Sequence, residues 1–259
     1  MRKNISLIIT LLCLNSIFGQ NADKLNSQSK ELLTKKEYEK AIPILRKSAE
    51  LGNAEAQYNL GYFLQNGVGI EKNEKEAFEW YKKSSENGFN DGHYAMMMAY
   101  GNGIGTEINS EKGFEYSVKC ANNNDATCMW NVVNCYIQGL GVTKDNNKML
   151  EWATKLSLLE NPENLNLSGN ITSMRLSLAN MYRDGNILKM DLYKSYLWYL
   201  IYNEFKKDFS ITQQNEIIEQ IKIAETKINR KQLKTAKADA EKIFGRKLTN
   251  LENLLKPDF

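Results

Sequence analysis

A spacing of 36 residues runs through this sequence and constrains its fold more than any other feature. The stretch from Tyr58-Asn59-Leu60-Gly61 to Gly67-Val68-Gly69 recurs at Tyr94-Ala95-Met96-Met97 to Gly103-Ile104-Gly105. It recurs again at Trp130-Asn131-Val132-Val133 to Gly139-Leu140-Gly141. A fourth copy, Leu176-Ser177-Leu178-Ala179 to Gly185, lies 46 residues further on, which implies a ten-residue insertion within the Asn-rich stretch 157–170. The second half of each unit keeps step: Trp80, Tyr116, Trp152 and Trp198 correspond, and so do Phe78, Phe114, Leu150 and Tyr196. An earlier half-unit also fits, with Ala41, Ser48 and Gly52 matching Ala77, Ser84 and Gly88. A fixed period of this length is the mark of a repeat architecture.

Each unit reads as two helices. In the first copy Ala56, Leu60, Phe63 and Leu64 fall on one face of a helix A. The equivalents are Gly92, Met96, Ala99 and Tyr100, then Cys128, Val132, Cys135 and Tyr136, then Met174, Leu178, Met181 and Tyr182. The glycine that follows stops helix A, because glycine accepts the left-handed conformation of a helix end. Helix B starts after Asn73, Asn109, Asp145 and Asp191, residue types whose side-chain oxygen caps a free backbone N–H. A lone hairpin cannot bury its apolar face, whereas stacked hairpins can. The expected fold is therefore all-α, an α/α solenoid. Its parts are an N-terminal half repeat over 24–52, four repeats over 53–206 (53–88, 89–124, 125–170 with the insertion, 171–206) and a closing helical cap over 207–259. The cap has apolar runs at Ile217, Ile218, Ile221, Ala224 and Ile228, and at Leu233, Ala236, Ala240, Ile243 and Phe244.

Residues 1–19 have the layout of a signal peptide: basic Arg2 and Lys3, an apolar run over 5–14 too short for a bilayer span, and a small residue, Gly19, before the expected cleavage point. Leu12 stands where a lipobox before Cys13 needs a small residue. No later stretch is apolar enough to cross a membrane. The expectation is a secreted or periplasmic protein, monomeric, without a cofactor. Charge is nearly balanced, 34 Lys and Arg against 31 Asp and Glu, which argues against a nucleic-acid partner. The single histidine, His93, excludes a multi-histidine zinc site and any histidine triad built elsewhere.

Ala54-x-x-x-Tyr58-Asn59-Leu60-Gly61, the Gly-x-Gly turn and Ala77-Phe-Glu-Trp80-Tyr81-Lys resemble the Sel-one-like repeat family, α/α solenoids of the tetratricopeptide superfamily. The resemblance covers residues 38–206, is strongest in the first repeat, and weakens in the fourth, where Ile187 replaces the second glycine. It implies a scaffold or adaptor that binds a partner protein or peptide, and no single reaction. It also bears on the cysteines. Cys120 and Cys128, separated by the turn 122–125, resemble the intra-hairpin disulfide of cysteine-rich secreted members; two buried thiols are the alternative. Cys135 reads as a small buried hydrophobe. In the resembled fold the A helices line the concave surface. A second stripe of helix A would then face a partner: Glu55, Asn59, Tyr62 and Asn66; Asp91, Met98 and Asn102; Asn131, Asn134 and Gln138; and Asn180.

Candidate chemistry is sparse. Ser27-x-x-Lys30 matches a nucleophile motif of penicillin-interacting enzymes, but its Ser-Asp-Asn companion is missing and Lys234-Thr235 is followed by Ala236 rather than glycine. His93 occupies the register of Gln57 and Met129, which points to packing. From Lys206 on, Lys222, Lys227, Arg230, Lys231, Lys234 and Lys237 interleave with Glu219, Glu225, Asp239 and Glu241 and read as a solvated helix face, with an anion or nucleic-acid patch as the alternative. The function expected is a non-enzymatic binding scaffold. The alternatives are an immunity protein that neutralises a secreted effector, and the weak penicillin-binding or β-lactamase activity of cysteine-rich relatives.

Overall fold

The computed structural model describes residues 19–162 and 165–257, so the expected leader up to residue 18, with Cys13, lies outside the described residues. Twelve α-helices and no strands occur among them: α1 (19–34), α2 (Tyr38–Glu50), α3 (Ala54–Asn66), α4 (Glu74–Glu86), α5 (Asn90–Asn102), α6 (Ser110–Ala121), α7 (Ala126–Gln138), α8 (Asn146–Ser157), α9 (Leu165–Asp184), α10 (Leu192–Asn203), α11 (Ile211–Lys227) and α12 (Arg230–Phe244). No described helix is long and apolar enough to cross a membrane. The chain forms two compact units that divide between Asn123 and Asn124. The fold is an all-α solenoid of consecutive antiparallel hairpins, as the period requires.

The first unit is three hairpins, α1–α2, α3–α4 and α5–α6. Its core is Ile42, Leu45, Ala49, Ala56, Leu60, Leu64, Ala77, Trp80, Tyr81, Ala95 and Met96. Alanines and glycines sit where helices approach closely. A Cβ on Gly61 would lie 2.7 Å from the Tyr81 ring, and one on Gly92 would lie 2.6 Å from the Ser85 nitrogen. The turns after α3 and α5 place Gly67 and Gly103 at φ 67° and 73°, the left-handed helix stop expected from sequence. The second glycine of each turn has a different role. Gly105 (φ 67°) leaves room for α4: a Cβ there would be 2.0 Å from the Glu74 carbonyl oxygen.

The second unit holds hairpins α7–α8 and α9–α10, then α11 and α12. The turns after α7 and α9 are left-handed at Gly139 and Gly185. The predicted caps form in both units. The side chains of Asn73, Asn109, Asp145 and Asp191 accept from the backbone N–H of Glu76, Lys112, Lys148 and Lys194. Much of the insertion is absorbed by lengthening a helix: α9 has 20 residues where the other A helices of the repeats have 13. Helices α11 and α12 pack on α10. Ile218, Ile221, Ala224 and Ile228, and Ala236, Ala240 and Phe244, are buried as expected. Leu233 is not; it is 39% exposed. Position 233 shares the arc of 236, 240 and 244 but stands at the N-terminal end of α12, before the first residue of that stripe that is buried.

Candidate functional site

Helix A presents the predicted binding stripe in three different states. On α3 and α5 it is open. Tyr62 is 48% exposed and Met98, its equivalent one repeat later, is 37% exposed. Beyond each stands an exposed asparagine fixed in the same way: Asn66 Nδ2 donates to the Tyr62 carbonyl at 2.8 Å and Asn102 Nδ2 to the Met98 carbonyl at 3.0 Å. Asp91 is exposed and Asn59 half-buried. Glu55 is committed to the chain itself, its two oxygens accepting from Asn26 Nδ2 and Lys30 Nζ, both at 2.7 Å.

The α7 stretch is half covered. Asn131 and Asn134 are half-buried and Gln138 is exposed, with Asn131 Nδ2 directed at the Cys135 sulfur at 3.9 Å. On α9 the stripe is turned inward. Asn180 Oδ1 accepts from the Tyr199 hydroxyl at 2.9 Å, and Arg183 donates to the same hydroxyl. Within each unit the open part is thus α3–α5 in the first and the end of α7 in the second.

Two residues next to this stripe escaped the stripe pattern. Tyr58 and Tyr94, one position before Asn59 and Ala95, are half-buried on the same helices. Tyr58 sits against Tyr81 and Phe89, each at a ring separation of 5.8 Å. Burial, then the nearby Asp91 carboxylate, raises the Tyr58 hydroxyl above its usual pKa, so it remains a neutral donor at all physiological pH. The recurrence of an aromatic at 58, 94 and 130 was the available signal. These aromatics and asparagines form an uncharged, hydrogen-bonding surface, the chemistry that suits polypeptide contacts.

The other candidates resolve into packing. Ser27 and Lys30 do not form a pair: the Ser27 hydroxyl donates to the Asp23 carbonyl and the Lys30 ammonium is on Glu55. Cys120 and Cys128 are disulfide-bonded, and Cys135 is buried and free, with burial raising its thiol pKa. His93 Nδ1 lies 2.6 Å from the Ser85 hydroxyl.

His93 belongs to a recurrent hook. At the same register Gln57 Nε2 donates to the Ala49 carbonyl at 3.0 Å, and Arg175 Nε to the Ser157 carbonyl at 2.8 Å. Ala49, Ser85 and Ser157 are equivalent positions at the end of the preceding helix B. One helix-A position therefore holds its own start to the previous hairpin, by an amide, an imidazole or a guanidinium.

A depression of about 700 Å³ in the first unit does not coincide with the stripe. It lies where Lys72–Lys75 meet Gly103–Glu107, and it holds the Lys72–Glu74 ion pair.

The Sel1 repeat family model matches residues 30–53, 54–89, 92–125 and 127–161. The crystal structure of a Sel1 repeat protein from Oxalobacter formigenes is similar at 26% identity, covering 78% of this chain and 79% of that one, with a TM-score of 0.57. Weaker likenesses are c5321, a protective antigen of uropathogenic Escherichia coli (23% identity, 83% of this chain and 50% of that one, TM-score 0.38), and immunity protein Pa5087 from Pseudomonas aeruginosa (18%, 91% and 86%, TM-score 0.41). With four matched segments and hairpins of the matching period, the chain belongs to the Sel1 repeat family.

Proposed function

We propose that the protein is an exported, non-catalytic adaptor that binds a partner polypeptide along the exposed face of its A helices. Sel1 repeats form scaffolds suited to protein–protein interaction, and the residues at the open face fit that use. One observation carries the reading: Tyr62 and Met98, large and apolar, stay exposed at equivalent positions on α3 and α5, each followed by an exposed asparagine whose amide is held in place. A tyrosine and a methionine offer contact area at low entropic cost or with easy adaptation. The fixed asparagines offer polar contacts without further ordering. The leader-like residues 1–19 supply the reason to look in the envelope or the medium.

The test is a capture experiment on envelope and secreted fractions, with three baits: the wild-type chain, a Tyr62→Ala/Met98→Ala variant, and an Asn131→Ala/Asn134→Ala variant. A partner captured by the wild type and lost with the first variant supports the reading. Equal capture by all three baits removes the face from the binding site. Fractionation of the source cells, with N-terminal sequencing of the processed chain, tests export; an unprocessed cytoplasmic chain beginning at Met1 overturns it.

A further inference from the structure

We propose that the outward face of α12 is a peripheral docking surface for anionic bilayer lipid. The residues from 207 onward hold 11 Lys and Arg against 8 acids, which is the whole of the chain's excess of three positive charges. That excess is concentrated on one helix. Arg230, Lys231, Lys234, Lys237 and Lys242 are all exposed. At 100° per residue they span an arc of about 140° that also holds Glu241 and, at its Lys237 edge, borders the stripe of buried Ala236, Ala240 and Phe244. Ala238 lies between them, and Thr235 borders the arc beyond Lys242. From 230 to 242 the row is about 18 Å long at 1.5 Å per residue.

The neighbouring acids are already committed. Asp239 accepts from the Tyr193 hydroxyl at 2.5 Å. Glu241 accepts from the Lys247 ammonium and the Leu248 N–H, with Lys237 at 3.9 Å. On α11, Glu225 accepts from the Tyr196 hydroxyl and Glu219 is paired with Lys222. These carboxylates keep their charge, but α12 itself carries five cations against two acids, Asp239 and Glu241, so its exposed side stays net positive. Among the described residues no salt bridge joins Arg230, Lys231, Lys234 or Lys242 to an acid.

The chemistry of the row selects its occupant. Four of its five cations are lysines, compact point charges that suit a diffuse negative surface, whereas specific carboxylate recognition favours the arginine fork. Cores of protein–protein interfaces are depleted in lysine. The row runs along one helix, with a shallow depression at its end lined by Lys242, Arg246 and Lys247, a cationic surface that matches a plane of anionic headgroups. Exposed Leu233, three residues from Arg230 and four from Lys237, supplies an apolar side chain where the row meets the buried stripe. A cationic face with a flanking apolar residue is the composition of peripheral bilayer contacts.

The experiment is co-sedimentation of the full chain with vesicles of phosphatidylcholine alone or with 30–40 mol% phosphatidylglycerol, at about 50 mM and about 500 mM NaCl, a range over which screening removes surface attraction. The patch variant carries Arg230, Lys231, Lys234 and Lys242 changed to Glu. A control variant carries Lys72→Glu, Lys75→Glu, Lys112→Glu and Lys119→Glu, the same charge change placed in the first unit. Residues 1–19 are identical in all three, so the differences report on α12. Circular dichroism melting of each confirms that it is folded.

The expected result is binding to the anionic vesicles that falls at high salt and drops at least about ten-fold in the patch variant, because each surface cation contributes several-fold. The control variant retains most of it, and Tyr62→Ala/Met98→Ala leaves it unchanged. Equal binding to both vesicle types, equal loss in both charge variants, or no vesicle binding overturns the proposal. Capture of an acidic protein through the patch while vesicles are ignored assigns the face to that protein instead.

Discussion

The two units achieve order by different means. The first is periodic, with an interior of small and apolar side chains; its buried polar residues are uncharged. The second buries two cations completely, Arg175 and Lys206, at 0% and 1% exposure. Arg175 donates to the carbonyls of Ser157 and Leu159 and to Asn161 Oδ1, and stacks 4.5 Å from the Phe205 ring. Burial, and then the nearby Arg246, pull its pKa down to about 9. Asn161 in turn donates to Asp208, which also accepts from Ser168 and Thr172. Lys206 donates to the carbonyls of Asn253 and Lys256. Where the repeat holds, hairpins fit by complementary shape. Where an insertion and an irregular cap break it, loop carbonyls left without ladder partners need specific donors, and long buried cations supply them.

The sharpest test of this contrast is Arg175→Met. Methionine already occupies the register at Met129, fully buried, so the side chain fits the position. If the guanidinium is a donor to the insertion, its loss leaves two buried carbonyls and Asn161 without their partner and costs about 3–5 kcal/mol. Urea unfolding measures the loss, and hydrogen exchange places it in α9 and the 158–162 loop. A variant as stable as wild type would show that the position needs only volume, as in the third repeat.

Sequence alone reached the periodic features because each was written several times. Asn73, Asn109, Asp145 and Asp191 all cap, and Gly67, Gly103, Gly139 and Gly185 all turn left-handed. The Arg175 network occurs once, and its members lie as far as 47 residues apart, Asn161 from Asp208, with no spacing rule to reveal them. The binding stripe was legible as a register but not as a surface. Nothing in the spacing says that Lys30 closes over Glu55, or that Tyr199 draws Asn180 inward, because both depend on which hairpin packs against which. Net charge was legible only as a sum, and which side of α12 stays exposed required the fold.

The second glycine of the turn gives the next test. Gly105→Ala places a Cβ against the Glu74 carbonyl and strains a left-handed φ, for a loss of about 2–4 kcal/mol by urea unfolding. The same register in the second unit already holds Ile187, where Asn146 Nδ2 reaches the Ile187 carbonyl at 2.7 Å. There the contact is a hydrogen bond to the backbone, so the reverse change, Ile187→Gly, makes no clash and costs only the backbone entropy and the half-buried side chain, about 1–2 kcal/mol together. Equal effects at the two sites would mean that shape matters no more in the periodic unit than in the other.

Caps are the feature both units share, and they should not discriminate. Asn73→Ala and Asp191→Ala each remove an acceptor from the first turn of a helix B and should each lower stability by about 1 kcal/mol. Matched thermal melts check this. A much larger loss at Asp191 would show that the second unit relies on local signals as well as on its buried cations.

The smallest effect separates the three hooks by charge. His93 is held below its usual pKa by burial, and secondarily by Lys119. The folded protein therefore binds its proton less readily than the unfolded chain, so stability of the first unit is complete above about pH 6.5 and falls as pH drops through that value toward the folded pKa. His93→Gln, which copies the Gln57 hook, removes this component while keeping a side chain able to reach Ser85. The difference in urea midpoint between wild type and His93→Gln should be constant above pH 7 and should shift in favour of the variant near pH 5, against an identical carboxylate background. A difference that stays flat across the whole range would mean that the imidazole titrates as it would in water, and that the hook at this position tolerates a charge as readily as the one at Arg175 does.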